Sequence, residues 1–539
     1  MRQLSYSTRL KLKKHKLSNL FDIFKSNRDH CQACSGNRWR MSSTLIQYSL
    51  IFLLVSNFAL LAQSTRAPRT DLPFEIDEKK RMSESDVEKK KEGGYFTGLP
   101  LINSDPNVGV GYGARVIYLY NGDRKNPLFE YTPYRFRVFA QYFNTTKNAP
   151  YHWASIDAPY IFDTKWRLRA DLIYDRNPNS LYFGVGEKTL QPLSYLERND
   201  PSGHQVRNAK FADYEDNLAY RRPGDAGVGE PPFVTNSRYN RYDIENPNFG
   251  TSGEYSFLGG TVRAVTGIRL SKQIIRTYDG KSYDSKFGGY DQIAGFPLSF
   301  VDTDRTLSTP QGETRLSSDN KNNRILGYNG GIVNTVRAGI VYDTRDFEPD
   351  PNRGIFLEYT HERSAKSIGS NYEFNKNYVS GRIFISPVTY FTKKPPELLE
   401  KFVLAARGGA VQTNGDAPFY EYRNMWGTET NQSGLGGRTT IRGYKQDRFV
   451  GQTMAYANFE IRWKFASTDI WGQHFDFQLV PFYDVGRVWD RTMDVGLKGY
   501  KHSRGIGLRI PWNQATVIYF DYAKSSEDSQ LFVNFNHIF

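Results

Sequence analysis

The feature that most constrains this chain is a repeated alternation in which one parity is apolar or aromatic and the other carries charge. In 132–144, Tyr134, Phe136, Val138, Ala140 and Tyr142 share one parity, while Arg135, Arg137 and Gln141 share the other. In 165–175, Trp166, Leu168, Ala170, Leu172 and Tyr174 oppose Arg167, Arg169 and Asp171. Alternate residues of a strand face the same side, so each segment presents one charged and one apolar face. Inside a sandwich core every unpaired charge is strongly destabilising. Facing a watered lumen it costs little, and the apolar parity then faces lipid, as in a transmembrane barrel wall. The high aromatic content, 36 Tyr and 36 Phe in 539 residues, suits the interfacial girdles of such a wall.

Alternating segments of this kind recur near 108–120, 132–144, 151–162, 165–175, 180–187, 236–245, 255–273, 331–344, 353–363, 372–388, 400–413, 452–466, 474–488, 500–511, 515–524 and 530–539. The expected fold is all-β, a single transmembrane antiparallel β-barrel of about 16 strands with long extracellular loops. The connections sort by parity: RNPNS at 176–180, FEPDPNRG at 347–354 and WNQA at 512–515 are short, whereas 188–235, 274–330 and 414–451 are long. Short turns at one end and long loops at the other is the asymmetry such barrels show.

The net charge of +14 is uneven. Residues 1–40 hold ten Lys/Arg and two Asp, or +8, leaving 61 basic and 55 acidic side chains, or +6, for the rest. So mild and dispersed a balance gives no footprint for nucleic acid. Both cysteines, Cys31 and Cys34, lie in the same leading segment. C-x-x-C can be a redox pair or half a zinc site, but neither a βαβ context nor a second pair accompanies it, and it reads as part of a processed leader. The remaining chain offers no thiolate for a disulfide or a metal, which suits an oxidising periplasm. No metal and no cofactor is expected.

Ser49–Ala62, SLIFLLVSNFALLA, is the strongly apolar segment, and Ala62-Gln63-Ser64 supplies small residues for cleavage. It reads as a signal peptide, with Met41 the expected initiator. The expected organisation is a leader and signal peptide over 1–64, a short disordered periplasmic segment over 65–94, polar and charged in DEKKRMSESDVEKKKEGG, and the barrel over 95–539. The chain ends in a strand-like Leu531, Val533, Phe535, His537, Phe539 parity. Phe535 and the terminal Phe539 are the expected outer-membrane assembly signal.

Enzymatic readings find little footing. G-x-S-x-G, H-E-x-x-H and G-x-x-x-x-G-K-[ST] do not occur. His361-Glu362 lacks the second histidine, His502-Ser503 are strand neighbours that face opposite sides, and Asp302 with Asp304 read as solvating a loop.

Four segments narrow the barrel to a family. Gly436-Gly437-Arg438-Thr439-Thr440-Ile441-Arg442-Gly443-Tyr444 resembles the [V/I]-R-G-[F/Y] loop of the Omp85 superfamily, the surface-antigen (D15) barrels that include BamA and TamA. Phe482-Tyr483-Asp484-Val485-Gly486-Arg487-Val488-Trp489 is similar to its F-x-D-x-G-x-x-W strand. Gly451-Gln452 through Asn458-Phe459-Glu460 is similar to the strand bearing an inward glutamate, and Tyr342–Asp346 with Asn352-Arg353-Gly354 looks like the central strand and turn. The resemblance implies a loop lock: Arg442, Gly443 and Tyr444 folded into the lumen, with Glu460 and Asp484 as acceptors. Arg442→Ala is then expected to free residues 414–451. It further implies insertion of other barrels into the outer membrane, or passage of polypeptide across it, with no bond made or broken. The route is a weak seam between the first and last strands, expected at 108–120 against 530–539 and loosened by Gly109, Gly111 and Gly113. Residues 65–93 depart from the family's assembly factors in leaving no room for a POTRA module, so delivery would fall to a separate periplasmic protein. The expected partners are outer-membrane lipid, client outer-membrane proteins and such a delivery protein. A plugged or weakly conducting barrel with a structural or surface-antigen role is the alternative.

Overall fold

A computed structural model describes residues 69–539, apart from 83, 106–107, 197–204, 218, 222–232, 236–238, 280, 285–288, 293–296, 300–307, 311–313, 347, 349, 389–401, 471–472, 491–495, 497, 513–515 and 536–538. The cysteine pair, Met41, the signal segment, Asp302 and Asp304 lie outside the described residues.

Sixteen antiparallel strands close into a barrel in strict sequence order. They are β1 (Gly94–Asp105), β2 (Gly109–Tyr120), β3 (Phe136–Thr145), β4 (Tyr151–Ala158), β5 (Trp166–Leu181), β6 (Arg241–Phe257), β7 (Val262–Thr277), β8 (Gly331–Asp343), β9 (Gly354–Ser364), β10 (Phe374–Ile385), β11 (Phe402–Gly415), β12 (Thr453–Ile470), β13 (Gln473–Trp489), β14 (Lys501–Trp512), β15 (Thr516–Lys524) and β16 (Ser529–Phe535). Among the described residues no helix is long and apolar enough to cross a membrane; the strands do so.

The expected count is met although two strands are misplaced. The first strand is 94–105, not 108–120, and 180–187 is no separate strand. RNPNS, expected as a turn, lies inside β5, where Tyr242 and Ile244 of β6 pair with Ser180 and Asn177 across a bulge. Pro178 falls in that bulge, where no ladder bond is asked of the N–H it lacks. Gly109, Gly111 and Gly113 consequently belong to β2, fully paired with β1. A Cβ on Gly111 would meet the Phe143 ring and one on Gly113 the Tyr142 carbonyl, so these two make room for a neighbour rather than loosen a seam.

The alternation sorts as the wall requires. Val116, Leu172, Ile340, Val379, Phe459 and Tyr522 are among the large apolar residues exposed outward. Inward, Arg115 donates to Gln141 Oε1 at 2.6 Å and stacks on Phe139, and Arg167 forks onto Asp157 at 2.8 Å twice. The Asp157 carboxylate thus offsets the cost of burying the Arg167 charge. At the long-loop end, Tyr182, Tyr242, Leu316, Phe374 and Phe419 pack into one cluster. Phe419 of this cluster belongs to the loop described below.

At the short-turn end, residues 69–93 are folded rather than disordered. They form a 3-10 turn (Glu78–Lys80) and α1 (Glu84–Lys89). Ile76 packs with Leu128 and Tyr131, Arg69 and Arg81 meet Glu130 at 2.7 and 2.6 Å, and the Asp77 amide donates to the Gly259 carbonyl. The sequence predicts a disordered segment here; Lys80 instead meets Asp343 and Arg81 meets Glu130.

Candidate functional site: a loop braced across the lumen

Residues 416–452, between β11 and β12, enter the lumen. Ile441, Leu435, Phe449 and Tyr444 form one buried cluster with Met454 and Val488 of the wall. Gly486, the glycine of the F-x-D-x-G segment, lets this happen: a Cβ there would lie 2.6 Å from Ile441 Cδ1. Gly443 has φ +91°, and a Cβ would lie 3.0 Å from the Lys524 carbonyl carbon. Only glycine combines that backbone with so close an approach. Tyr444 reaches Ser526 at 2.9 Å.

Arg442 is wholly buried. Its Nε and Nη2 donate to Asp484 Oδ2 and Oδ1, both at 2.8 Å, and its Nη1 donates to Glu460 and Asp521, both at 2.9 Å. Its backbone amide adds a bond to Asp484, and the guanidinium lies 3.4 Å over the Phe482 ring. The structure therefore brings Arg442, Glu460 and Asp484 together. The planar fork supplies four side-chain bonds to the three carboxylates, one more than the three donors of a lysine ammonium could make. Sequence reasoning missed Asp521, Arg462, Arg509 and Asn458. Arg462 meets Glu460 at 3.0 Å, Arg509 forks onto Asp521, and Asn458 donates to Asp484 at 2.8 Å. Asp521 had a signal: among Val517, Tyr519, Asp521 and Ala523, the inward parity of β15, it is the one charge, and such a charge needs a partner.

A second missed feature is that the loop is fastened to the opposite wall too. Glu421 accepts from Arg269 of β7 at 2.9 Å and Lys376 of β10 at 2.7 Å. Glu429 pairs with Arg345, which follows β8, and with Arg382 of β10 at 2.8 Å. Trp426 lies under the Arg337 guanidinium at 4.9 Å. Beyond Arg442, Arg448 meets Glu527 of the β15–β16 turn at 2.7 Å. The loop spans the lumen, with carboxylates on one side and arginines on the other.

The remaining expected residues fall as follows. Asp343 ends β8 and pairs with Arg345 at 3.0 Å, and Gly354 opens β9. Glu362 faces inward on Arg337 at 2.7 Å, while His361 bonds Asn377. His502 is exposed and Ser503 buried. Phe535 ends β16, its side chain outside the described residues. Phe539, expected on the parity of Leu531, turns inward instead: it packs with Phe384, Val403 and Phe532, under Arg407 and Arg462, each 5.0 Å from its ring.

β1 and β16 close the ring. Among the described residues β1 meets β16 at Ser104 and Val533, and β1 pairs with β2 along its whole length, Gly94–Asp105.

Fold and site together define an outer-membrane β-barrel whose lumen is occupied by its own anchored loop. The chain belongs to the Omp85 superfamily: the model described as "Omp85 superfamily domain" matches residues 230–536, more than half of it, and a domain of unknown function (DUF5982) matches residues 72–135. It is a protein of the bacterial outer membrane. Among solved structures, BamA from Haemophilus ducreyi lacking POTRA domains 1–3 is similar at 14% identity and a TM-score of 0.43, covering 83% of this chain and 70% of that one. CdiB from Escherichia coli (12%, TM-score 0.42, 82% and 62%) and CdiB from Acinetobacter baumannii (10%, TM-score 0.38, 83% and 59%) are similar as well. The chain thus spans less than two thirds of either CdiB. No curated protein matches it.

Proposed function

We propose that this barrel assists the insertion of other barrels into the outer membrane, or the passage of polypeptide across it, using the edge between β1 and β16. The observation that carries this reading is the closure of the ring at β1 and β16, the first and last strands, which the described residues record at Ser104 and Val533. A strand edge with unmet amides and carbonyls templates an incoming strand. Pro100, in the middle of β1, fits an edge, since proline is tolerated there and not in a central ladder. The braced loop favours a lateral route, because a polypeptide threading the lumen would have to break Arg442, Glu421 and Glu429 from their partners. In this reading Arg442, Gly443 and Tyr444, with Glu460 and Asp484, form the lock that keeps the lumen shut, Phe535 and Phe539 are the assembly signal, and a separate periplasmic protein delivers the client. No covalent chemistry is involved.

The test is client folding in liposomes. An unfolded client barrel should fold faster in vesicles bearing this protein than in empty ones. No acceleration, with ion conductance alone, would establish the plugged or weakly conducting structural barrel instead.

A further inference from the structure

The outward face of the last strands carries two cations that neither the loop nor the seam employs. Arg504 of β14 and Lys524 of β15 are directly opposed in register. Both are exposed, and neither has an ion pair or side-chain hydrogen bond among the described residues. Opposed positions place their Cβ atoms roughly 5 Å apart, and like charges so placed weaken a strand pair. Their row continues to Tyr483 on β13 and Ser529 on β16. Above it stands His502, its ring stacked on Tyr483 at 6.1 Å. None of these outward neighbours is a carboxylate. The next row toward the short-turn end is Ile506, Tyr522 and Leu531, each about half exposed, and below that come Leu508, Phe520 and Val533. Two unmatched cations therefore stand at the upper border of the lipid-facing apolar band, beside the last strand of the seam. Arg363 supplies a contrast: it is another outward cation near the same end, on β9, but it opposes Val336 and Asn375.

We propose that Arg504 and Lys524 bind the phosphate of an anionic lipid headgroup in the outer leaflet. The height of the pair decides the ligand class. The apolar rows beneath it take acyl chains, and a phosphate at that level accepts from the guanidinium fork and the ammonium together, relieving their repulsion. Tyr483 and Tyr522 flank the site as interfacial aromatics.

The test is native mass spectrometry of the purified full barrel with diphosphoryl lipid A, its dephosphorylated form, or inorganic phosphate. Lipid A should be retained by the unmodified protein. Retention should fall on the order of thirtyfold in Arg504→Gln/Lys524→Gln, and about fivefold in either single variant, from the loss of headgroup-level charges. Arg363→Gln should bind as the unmodified protein does. The substituted side chains have no internal partner to lose, and heat-modifiable mobility reports that each barrel has formed. Equal retention by the double variant would overturn the proposal. So would equal binding of dephosphorylated lipid A, or inorganic phosphate binding as tightly as lipid A, which would make this an anion site without a lipid.

Discussion

Arg442→Ala is the most informative single perturbation, because the structure indicates both its cost and its limits. Arg442, Arg462 and Arg509 balance Glu460, Asp484 and Asp521, three charges against three. The loss is unevenly shared. Asp521 keeps Arg509 and Glu460 keeps Arg462, but among the described residues Asp484 retains the Asn458 amide and the residue-442 backbone amide. Removing one partner of a buried pair costs about 3–5 kcal/mol, or roughly two to four orders of magnitude in local opening. The loop as a whole does not come free, however. Glu421 and Glu429 still grip Arg269, Lys376 and Arg382 on the far wall, and Arg448 still holds Glu527. Hydrogen exchange in detergent should therefore accelerate over residues 434–446 and stay slow over 419–432. Arg442→Lys should recover part of the protection, since an ammonium replaces the charge but not the fork. Uniform acceleration across 416–451 would refute the two-wall brace, and unchanged exchange at 434–446 would refute the arginine anchor.

Glu421→Gln/Glu429→Gln should give the complementary pattern, exposing 419–432 to protease while 439–444 remain protected; combined with Arg442→Ala, the whole segment should become cleavable in a barrel that still migrates as folded. Ser104→Cys/Val533→Cys, at an antiparallel pair within disulfide reach, should abolish client acceleration when oxidised and restore it on reduction; acceleration that survives the cross-link would rule out the seam. Lys90 is buried at the short-turn end, donating to the Phe129 and Thr132 carbonyls with no acidic partner, and desolvation pushes its ammonium down to about 7. Unfolded, it holds its proton to well above that pH, so the penalty is full below pH 7 and fades as pH rises through the folded value. Residues 84–93 should thus resist proteolysis better at pH 9 than at pH 6, and Lys90→Met should flatten that dependence.

What the sequence made legible follows from where the physics is local. Alternation revealed the wall because each strand divides lipid from lumen by itself, and Arg442 could be assigned acceptors because the F-x-D-x-G segment carries one. β1 was illegible for a local reason as well. Its Gly98, Pro100, Asn103 and Ser104 blunt the alternation, so a strand held by its neighbour and by closure of the ring left no periodic trace. Pro178 between two asparagines carries turn chemistry, and only the bulge opposite it reveals a continuing strand. Glu421 and Glu429 were missed because a loop has no parity. Their partners, Arg269 and Arg382, lie more than one hundred residues before and some fifty residues before them, on strands of the opposite wall.

The two sides of the seam are not held alike. β16 is secured at both ends: in its turn Glu527 accepts from Arg448 and the Ser525 hydroxyl donates to the Gly443 carbonyl, and beyond it the Phe539 carbonyl accepts from Arg462 at 2.9 Å. β1 is fixed at its base, where Gly93 and Gly122 exchange with each other and Asn121, and Arg124 donates to the Lys90 carbonyl. At its far end the described residues give it β2 and the Ser104–Val533 pair. Freeing β16 therefore requires breaking buried charge pairs, each worth several kcal/mol when one partner is left behind. Freeing the upper part of β1 requires breaking ladder bonds of about 1 kcal/mol each. On the proposed function, a client strand that replaces those bonds with its own pairs would meet β1 as the edge that yields and β16 as the edge that stays.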